Sequence, residues 1–386
     1  MRIGVNTLFM VPGDVGGTET YLRESLNTAV QNYPAKDFIL FTNRENDGLF
    51  RKMLEGHTNV SFNNLNFNAA HRPTRIILEQ TRLPLAVKKQ NPDLLWSPGY
   101  TAPFYVSCPQ VVTVCDLQYK THPEDMSNLE RKTLDFLVKG ACRRCDAVLA
   151  ISEFSRQEVI GYKFAAPDKV HTVLLGVDRS FGIPFTESER NQLLQDLIPF
   201  ETPYILCVAH TYPHKKVDIL IEAFSEVMDK LPHNLVIVGK TRRGEDLVQD
   251  AMKKVQDRKR VIRFKDGVPY RNLQALFQEG DIFVLPSAYE GFGLPVVEAM
   301  MAGVPVITTR LASLKEVAGG HAFSVDSVTS KSLAEKLLEV YALDPLTRQK
   351  HIDEAKRWAQ SFTWERSVDK MFDAVSYTHL TLPTIN

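Results

Sequence analysis

Apolar residues along this chain come in short, nearly continuous runs separated by longer amphipathic stretches. "RIGVNTL" (2–8), "DFILFTN" (37–43), "LLWSPG" (94–99), "QVVTVCD" (110–116) and "AVLAIS" (147–152) each open on an apolar run of strand length. Such runs suit strands buried on both faces of a parallel sheet. Between them, "TETYLRESLNTAVQNY" (18–33) and "LERKTLDFLVKGAC" (129–142) carry the 3.6-residue period of surface helices. A turn-rich stretch follows, "LLGVDRSFGIPFTESE" (174–189), punctuated by Gly176, Gly182 and Pro184. The alternation then restarts with "YILCVAH" (204–210), "NLVIVGK" (234–240), "VIRFKDGV" (261–268), "DIFVLPS" (281–287) and "PVITT" (305–309). Two strand–helix series in succession predict an α/β protein of two Rossmann-like domains facing across a cleft, with ligands at the carboxyl ends of the strands. The expected boundaries are 1–180 and 181–361, with a linker around 178–200. An amphipathic helix over 362–375 follows, and "SYTHLTLPTIN" (376–386) has no helical period and is expected to lie outside the fold as a non-native tail.

Length agrees with two domains, since 386 residues exceed what one hydrophobic core organises. Lys plus Arg equals Asp plus Glu at 46 each, so no global field draws the chain to nucleic acid, and no nucleic-acid partner is expected. No apolar run reaches the roughly 18 residues of a spanning helix. The N-terminus reads as a first strand rather than a signal peptide. Five cysteines, at 108, 115, 142, 145 and 207, read as reduced thiols of a cytosolic protein. "CRRC" (142–145) has metal spacing, but no second pair or histidine cluster accompanies it.

The segment "EGFGLPVVEAMMAGVP" (290–305) carries the densest chemistry. Glu290 and Glu298 stand eight positions apart, which invites an acid–base reading. The residues between them argue otherwise. Pro295 suits the first position of a helix that Gly303 would end. Glu298 is then expected in the first helical turn and Glu290 in the loop before it. Gly291 and Gly293 let backbone amides approach a ligand, and amides plus a helix N-terminus suit a diphosphate. A first-turn carboxylate could accept two ribose hydroxyls, and one in the loop could accept sugar hydroxyls. The blander alternative is a helix-dipole partner and a solvated loop residue.

This segment resembles the E-x7-E segment of retaining glycosyltransferases of family 4, which have the GT-B architecture of two Rossmann-like domains. "GGTETYL" (16–22), "ILEQTRLP" (77–84), "WSPGYTAP" (96–103), "VVTVCDLQYKTHPE" (111–124), "ISEFSRQEVI" (151–160), "VAHTYPHKKVDILIEAF" (208–224) and "FTWE" (362–365) resemble further segments of its mannosyltransferase-like branch, in order. The resemblance implies that Gly291, Phe292, Gly293 and Leu294 hold the donor's sugar and phosphates through backbone amides. Glu298 would hold the ribose and Glu290 the transferred sugar. Lys215 would neutralise the diphosphate, with His210 beside it where arginine is common. Val268 of "KDGV" would line the nucleobase, and Gly16 and Gly17 would approach the donor phosphate or the acceptor. The final helix would cross back to the first domain.

One position departs from the pattern. Many relatives read His-Asp where this chain has Cys115-Asp116, and a thiol does not replace an imidazole near neutral pH. Three accounts stand open: the histidine is dispensable, His122 or another group compensates, or the enzyme is slow. No D-x-D occurs, so a metal-independent reaction without a cofactor is expected. The resemblance implies transfer of a hexose, mannose or similar, from a nucleotide-diphosphate sugar to a saccharide or lipid-linked acceptor, with retention, in cell-surface polysaccharide synthesis. A nucleotide-sugar epimerase of the same architecture and a catalytically weak sugar-nucleotide binder are the alternatives. "RPTRIILEQTRLPLAVKK" (72–89) sets basic residues beside an apolar face, so a cytoplasmic protein touching the inner face of a membrane is the expected location, against the plainer reading of a surface helix.

Overall fold

Thirteen short strands, the interior ones largely buried and the edge ones only partly so, build two separate parallel sheets in a computed structural model that describes residues 1–14, 16–198 and 202–381. The chain divides into two units, one of residues 1–120, 127–176 and 363–386, the other of 121–126 and 177–362.

The first unit contains β1 (Arg2–Asn6), β2 (Asp37–Thr42), β3 (Val60–Asn64), β4 (Leu94–Ser97), β5 (Gln110–Val114), β6 (Ala147–Ala150) and β7 (Val170–Thr172). Their order is β3-β2-β1-β4-β5-β6-β7, and every pairing is parallel. Val5 at the centre sits between Leu40 and Trp96. Strands so enclosed have no polar face, which is why their sequences do not alternate. Strand order reverses between β1 and β4, so the crevice of this sheet lies beyond Asn6 and Ser97. The helix Trp364–Thr381 belongs to this unit and packs on the helix Gly17–Asn32. Tyr33 donates to Asp369 at 2.6 Å, and its ring lies 4.4 Å from that of Phe372.

The second unit contains β8 (Tyr204–Val208), β9 (Asn234–Val238), β10 (Val261–Phe264), β11 (Ile282–Leu285), β12 (Val306–Thr309) and β13 (Phe323–Val325), in the order β10-β9-β8-β11-β12-β13. Here the reversal falls between β8 and β11. The loops leaving those two strands are therefore the ones that meet at this sheet's crevice.

Three readings of the sequence need correction. The turn-rich stretch contains a helix, Glu187–Leu194, closed by a reciprocal cap between Thr186 and Glu189. That S/T-x-x-E signature was present in "TESE", but the stretch lacks a strong apolar period. The terminal helix continues to Thr381, past the expected end at 375, and the last five residues of the expected tail lie outside the described ones. The helix after Glu290 spans Leu294–Ala302 and begins one residue before Pro295, so Glu298 stands at its fifth position, not in its first turn.

Candidate active site

In the second unit, β11 ends in "PSAYEGFG", a run whose backbone is tied down from several sides. Ala288 N–H donates to the His214 carbonyl at 2.8 Å. The Ser313 hydroxyl bonds the carbonyls of Glu290 (2.8 Å) and Phe292 (3.0 Å). Phe292 is buried against Phe362, ring centroids 5.7 Å apart, so it can offer a ligand its backbone rather than its ring. Gly293 precedes the helix with φ of 98°, and an added Cβ would lie 2.7 Å from a Leu314 methyl, so a glycine is required. No side chain caps that helix; Pro295 has no N–H and the Val296 amide bonds the Gly293 carbonyl at 2.9 Å, so the Leu294 amide is the first-turn donor that could face an anion. Leu294 opens the helix and is buried.

The β8 loop supplies the charge. Lys215 closes a short turn, Pro213–Lys215, and the next residue, Lys216, is left-handed (φ 54°) where the helix Val217–Val227 begins. Lys215 Nζ donates to both oxygens of Glu290, at 2.6 and 2.7 Å, and Ser287 Oγ adds a third bond at 2.7 Å. Both side chains are largely buried, with 20% of the lysine and 11% of the glutamate exposed. The two groups expected on the donor's diphosphate and sugar thus satisfy one another here. An ammonium has three protons, so the third remains for a phosphate oxygen.

His210 accepts from the Lys240 amide through Nδ1 at 3.0 Å. A neutral ring held that way carries its proton on Nε2, which makes it a donor suited to phosphate. Val268 is half-buried in the loop after β10, directly after Gly267, whose φ is 81°. Glu298 is half-buried, and among the described residues its carboxylate receives no hydrogen bond. Burial, reinforced by the charge of Asp178, pushes its carboxyl up to about 8. Asp178 is itself held by the Ser180 amide (2.8 Å) and by the Tyr270 hydroxyl (2.6 Å). A bare carboxyl with a raised pKa is prepared for hydroxyl donors, which would favour its ionised form.

In the first unit, Gly16 caps the helix Gly17–Asn32 from a conformation open to glycine (φ 57°, ψ −133°). Thr18, the next residue after the two glycines, reaches the Cys115 thiol, as does Tyr100. Burial first, and then the Asp116 charge, push that thiol up to about 12. Cys115 is therefore a neutral thiol that takes no part in proton transfer near neutral pH. Asp116 accepts from the Tyr100 hydroxyl at 2.9 Å and from the Gln118 amide at 3.1 Å. Tyr100 was not singled out from the sequence. Its backbone is left-handed (φ 68°), a conformation costly for a tyrosine, and this marks the loop after β4. The only signal in the sequence was "PGY" directly after a buried strand.

A second feature missed from the sequence is a buried carboxylate at the same strand ends. Glu79, 4% exposed, accepts from Asn6 Nδ2 (2.9 Å) and from Thr101 Oγ1 (2.8 and 3.0 Å), and burial raises its pKa. Its oxygens are occupied by these bonds, so it braces the loop that carries Tyr100.

These elements set a lysine, a helix start and a carboxylate at the strand-order reversal of a parallel sheet, and comparison with known proteins places the chain in a family. Residues 15–181 match the family described as Glycosyltransferase Family 4, and residues 189–358 match Glycosyl transferases group 1. The chain belongs to this glycosyltransferase family. Among curated proteins it is similar to the O-antigen chain mannosyltransferase B of Escherichia coli, at 28% identity over 255 residues, which cover 66% of this chain and 65% of that protein. It is also similar to the serotype-specific mannosyltransferase WbdA of Escherichia coli, at 33% over 46% of this chain. The matched stretch spans under two thirds of the first relative and 22% of the second. Among solved structures, Anabaena Alr3699/HepE in complex with UDP-glucose superposes with a TM-score of 0.75 at 20% identity, covering 98% of this chain and 100% of that one. WaaG, described as a glycosyltransferase involved in lipopolysaccharide biosynthesis, gives 0.72 at 15%, covering 97% and 100%. The two parallel-sheet units are thus those of the GT-B glycosyltransferase fold.

Proposed function

We propose that this protein transfers a hexose from a nucleotide-diphosphate sugar to a saccharide or lipid-linked acceptor of a cell-surface polysaccharide, with retained anomeric configuration. The observation that carries the reading is the arrangement at the β8/β11 reversal. A lysine, an uncapped helix start and a bare carboxylate meet there, fitted respectively to diphosphate, phosphate and ribose. The mannosyltransferases among its relatives favour mannose as the hexose.

In this reading the bond between the anomeric carbon and the β-phosphate oxygen breaks, and the nucleoside diphosphate leaves. The acceptor oxygen bonds the same face of that carbon and passes its proton to the departing phosphate. Negative charge grows on the leaving group, and Lys215 with the Leu294 amide at the start of the helix Leu294–Ala302 stabilises it without a metal. Glu290 then holds sugar hydroxyls rather than serving as a base. The Tyr100–Asp116 pair belongs to the acceptor side.

Contact with a membrane bearing a lipid-linked acceptor is the finer part of the proposal. The helix Arg72–Gln90 exposes Ile77 and Leu85, 60% and 69% accessible, beside exposed Arg72, Arg82, Lys88 and Lys89. No helix among the described residues is long and apolar enough to cross a membrane.

Incubation with GDP- and UDP-sugars in the presence of lipid-linked and free saccharides tests the reading. Transfer with retention supports it. Epimerisation of the donor, or binding without turnover, rejects it in favour of an epimerase or a binder.

A further inference from the structure

The segment 121–126 belongs to the second unit although its neighbours in sequence belong to the first. Its short turn, Pro123–Asp125, packs on the turn Pro213–Lys215 that carries the diphosphate lysine. Asp125 and His214 fix this contact with a buried pair, Nδ1 to carboxylate at 2.8 Å, both side chains almost wholly enclosed. His122 opens the segment. Its ring lies 5.6 Å from the His214 ring and 5.6 Å, edge-on, from the ring of Tyr289, the residue before Glu290. A half-buried imidazole thus stands among the residues that position Lys215 and Glu290.

The hydrogen bonding of that imidazole sets its chemistry. Nδ1 donates to Glu124 Oε1 at 3.0 Å, and Nε2 has no hydrogen-bond partner among the described residues. With the proton held on Nδ1 by a carboxylate, the neutral ring presents a lone pair at Nε2. That atom accepts a hydrogen bond from a hydroxyl. Cys115, a neutral buried thiol, is a poor acceptor and supplies no such group.

We propose that His122, oriented by Glu124, is a donor-site residue whose Nε2 accepts a hydroxyl of the transferred hexose. The proposal rests on the transferase reading and specifies how the sugar half of the donor is recognised. No covalent step passes through His122.

Calorimetric titration of the full chain with UDP, UDP-glucose, GDP and GDP-mannose separates the two. His122→Phe should weaken binding of the preferred nucleotide sugar about fivefold, the worth of one neutral hydrogen bond, and leave the bare nucleoside diphosphate unchanged. His122→Gln, whose amide offers an acceptor, should recover part of the loss, which a structural role for the ring would not explain. Equal affinity of wild type and His122→Phe for the nucleotide sugar, or an equal loss for sugar and bare diphosphate, overturns the assignment and leaves the transferase reading intact. Failure of the wild type to bind any of the four probes overturns both.

Discussion

The loops leaving β5 and β11 begin alike and end differently. Each follows a fully buried central strand, and each brings a carboxylate to the strand end. After β11 the carboxylate, Glu290, is matched by a cation, with Lys215 on both of its oxygens. After β5 the carboxylate, Asp116, is held by a phenol and an amide, beside a thiol that burial keeps neutral. A site that must stabilise a departing diphosphate needs a preorganised positive charge close by. A site that only orients an incoming hydroxyl needs fixed, uncharged hydrogen bonds. In the proposed reading the two loops divide these tasks.

The sharpest test of that division is Lys215→Met. It should lower transfer by about 100-fold or more, the scale seen when a charge-stabilising donor is lost, measured as kcat with a saturating donor. Because Glu290 is largely buried, the variant should also lose about 3 kcal/mol of stability in urea titration. Adding Glu290→Gln should restore much of that stability and none of the activity. Activity returning along with stability would mean that the ion pair serves only the fold.

Glu298 gives the next largest effect. Glu298→Ala should weaken nucleoside diphosphate binding by about tenfold, since two ribose hydroxyls lose their acceptor. The pH dependence has a fixed sign. The folded-state pKa of about 8 lies above the unfolded carboxylate value, so folding favours the protonated form. The resulting penalty is absent below the unfolded pKa, grows as pH rises from there towards 8, and levels off above it. Glu298→Gln should therefore gain stability over wild type between pH 5 and 9, by up to about 4 kcal/mol. Ribose hydroxyls favour the ionised carboxyl, so wild-type affinity relative to Glu298→Gln should rise across the same interval. Parallel stability curves for the two proteins would remove the bare carboxyl from the account.

On the β5 side, Tyr100→Phe removes only the hydroxyl that holds Asp116. A loss of about fivefold in kcat/KM for the acceptor, with donor KM unchanged, is the expected result. A change in donor KM instead would move Asp116 to the other task.

How far the sequence carried these assignments depends on whether the signal was local. Buried parallel strands announce themselves as continuous apolar runs, so both sheets and the loop after β11 were legible. The edge strands β3, β7 and β13 were not: β7 and β13 have three residues each, too few to carry a period, and β3 is only partly buried and has no continuous apolar run. Glu290 and Lys215 each stand out in the sequence, but their mutual pairing spans 75 positions and is a product of sheet order. Glu298 was placed in the first turn because Pro295 was taken as the first helical residue, whereas Leu294 fills that position. Tyr100 escaped notice because its importance lies in a left-handed backbone and a bond to Asp116, neither of which a residue type reveals.

The smallest effect is expected at Cys115. Cys115→His would add a ring at a site that is 4% exposed and already touched by Thr18 and Tyr100. Overpacking of a filled site costs about 1–3 kcal/mol, so stability must be measured beside activity. A ring enclosed there has little access to a ligand, and kcat should rise by no more than about twofold. A large gain from Cys115→His alone would show that the thiol is a handicap nothing else offsets.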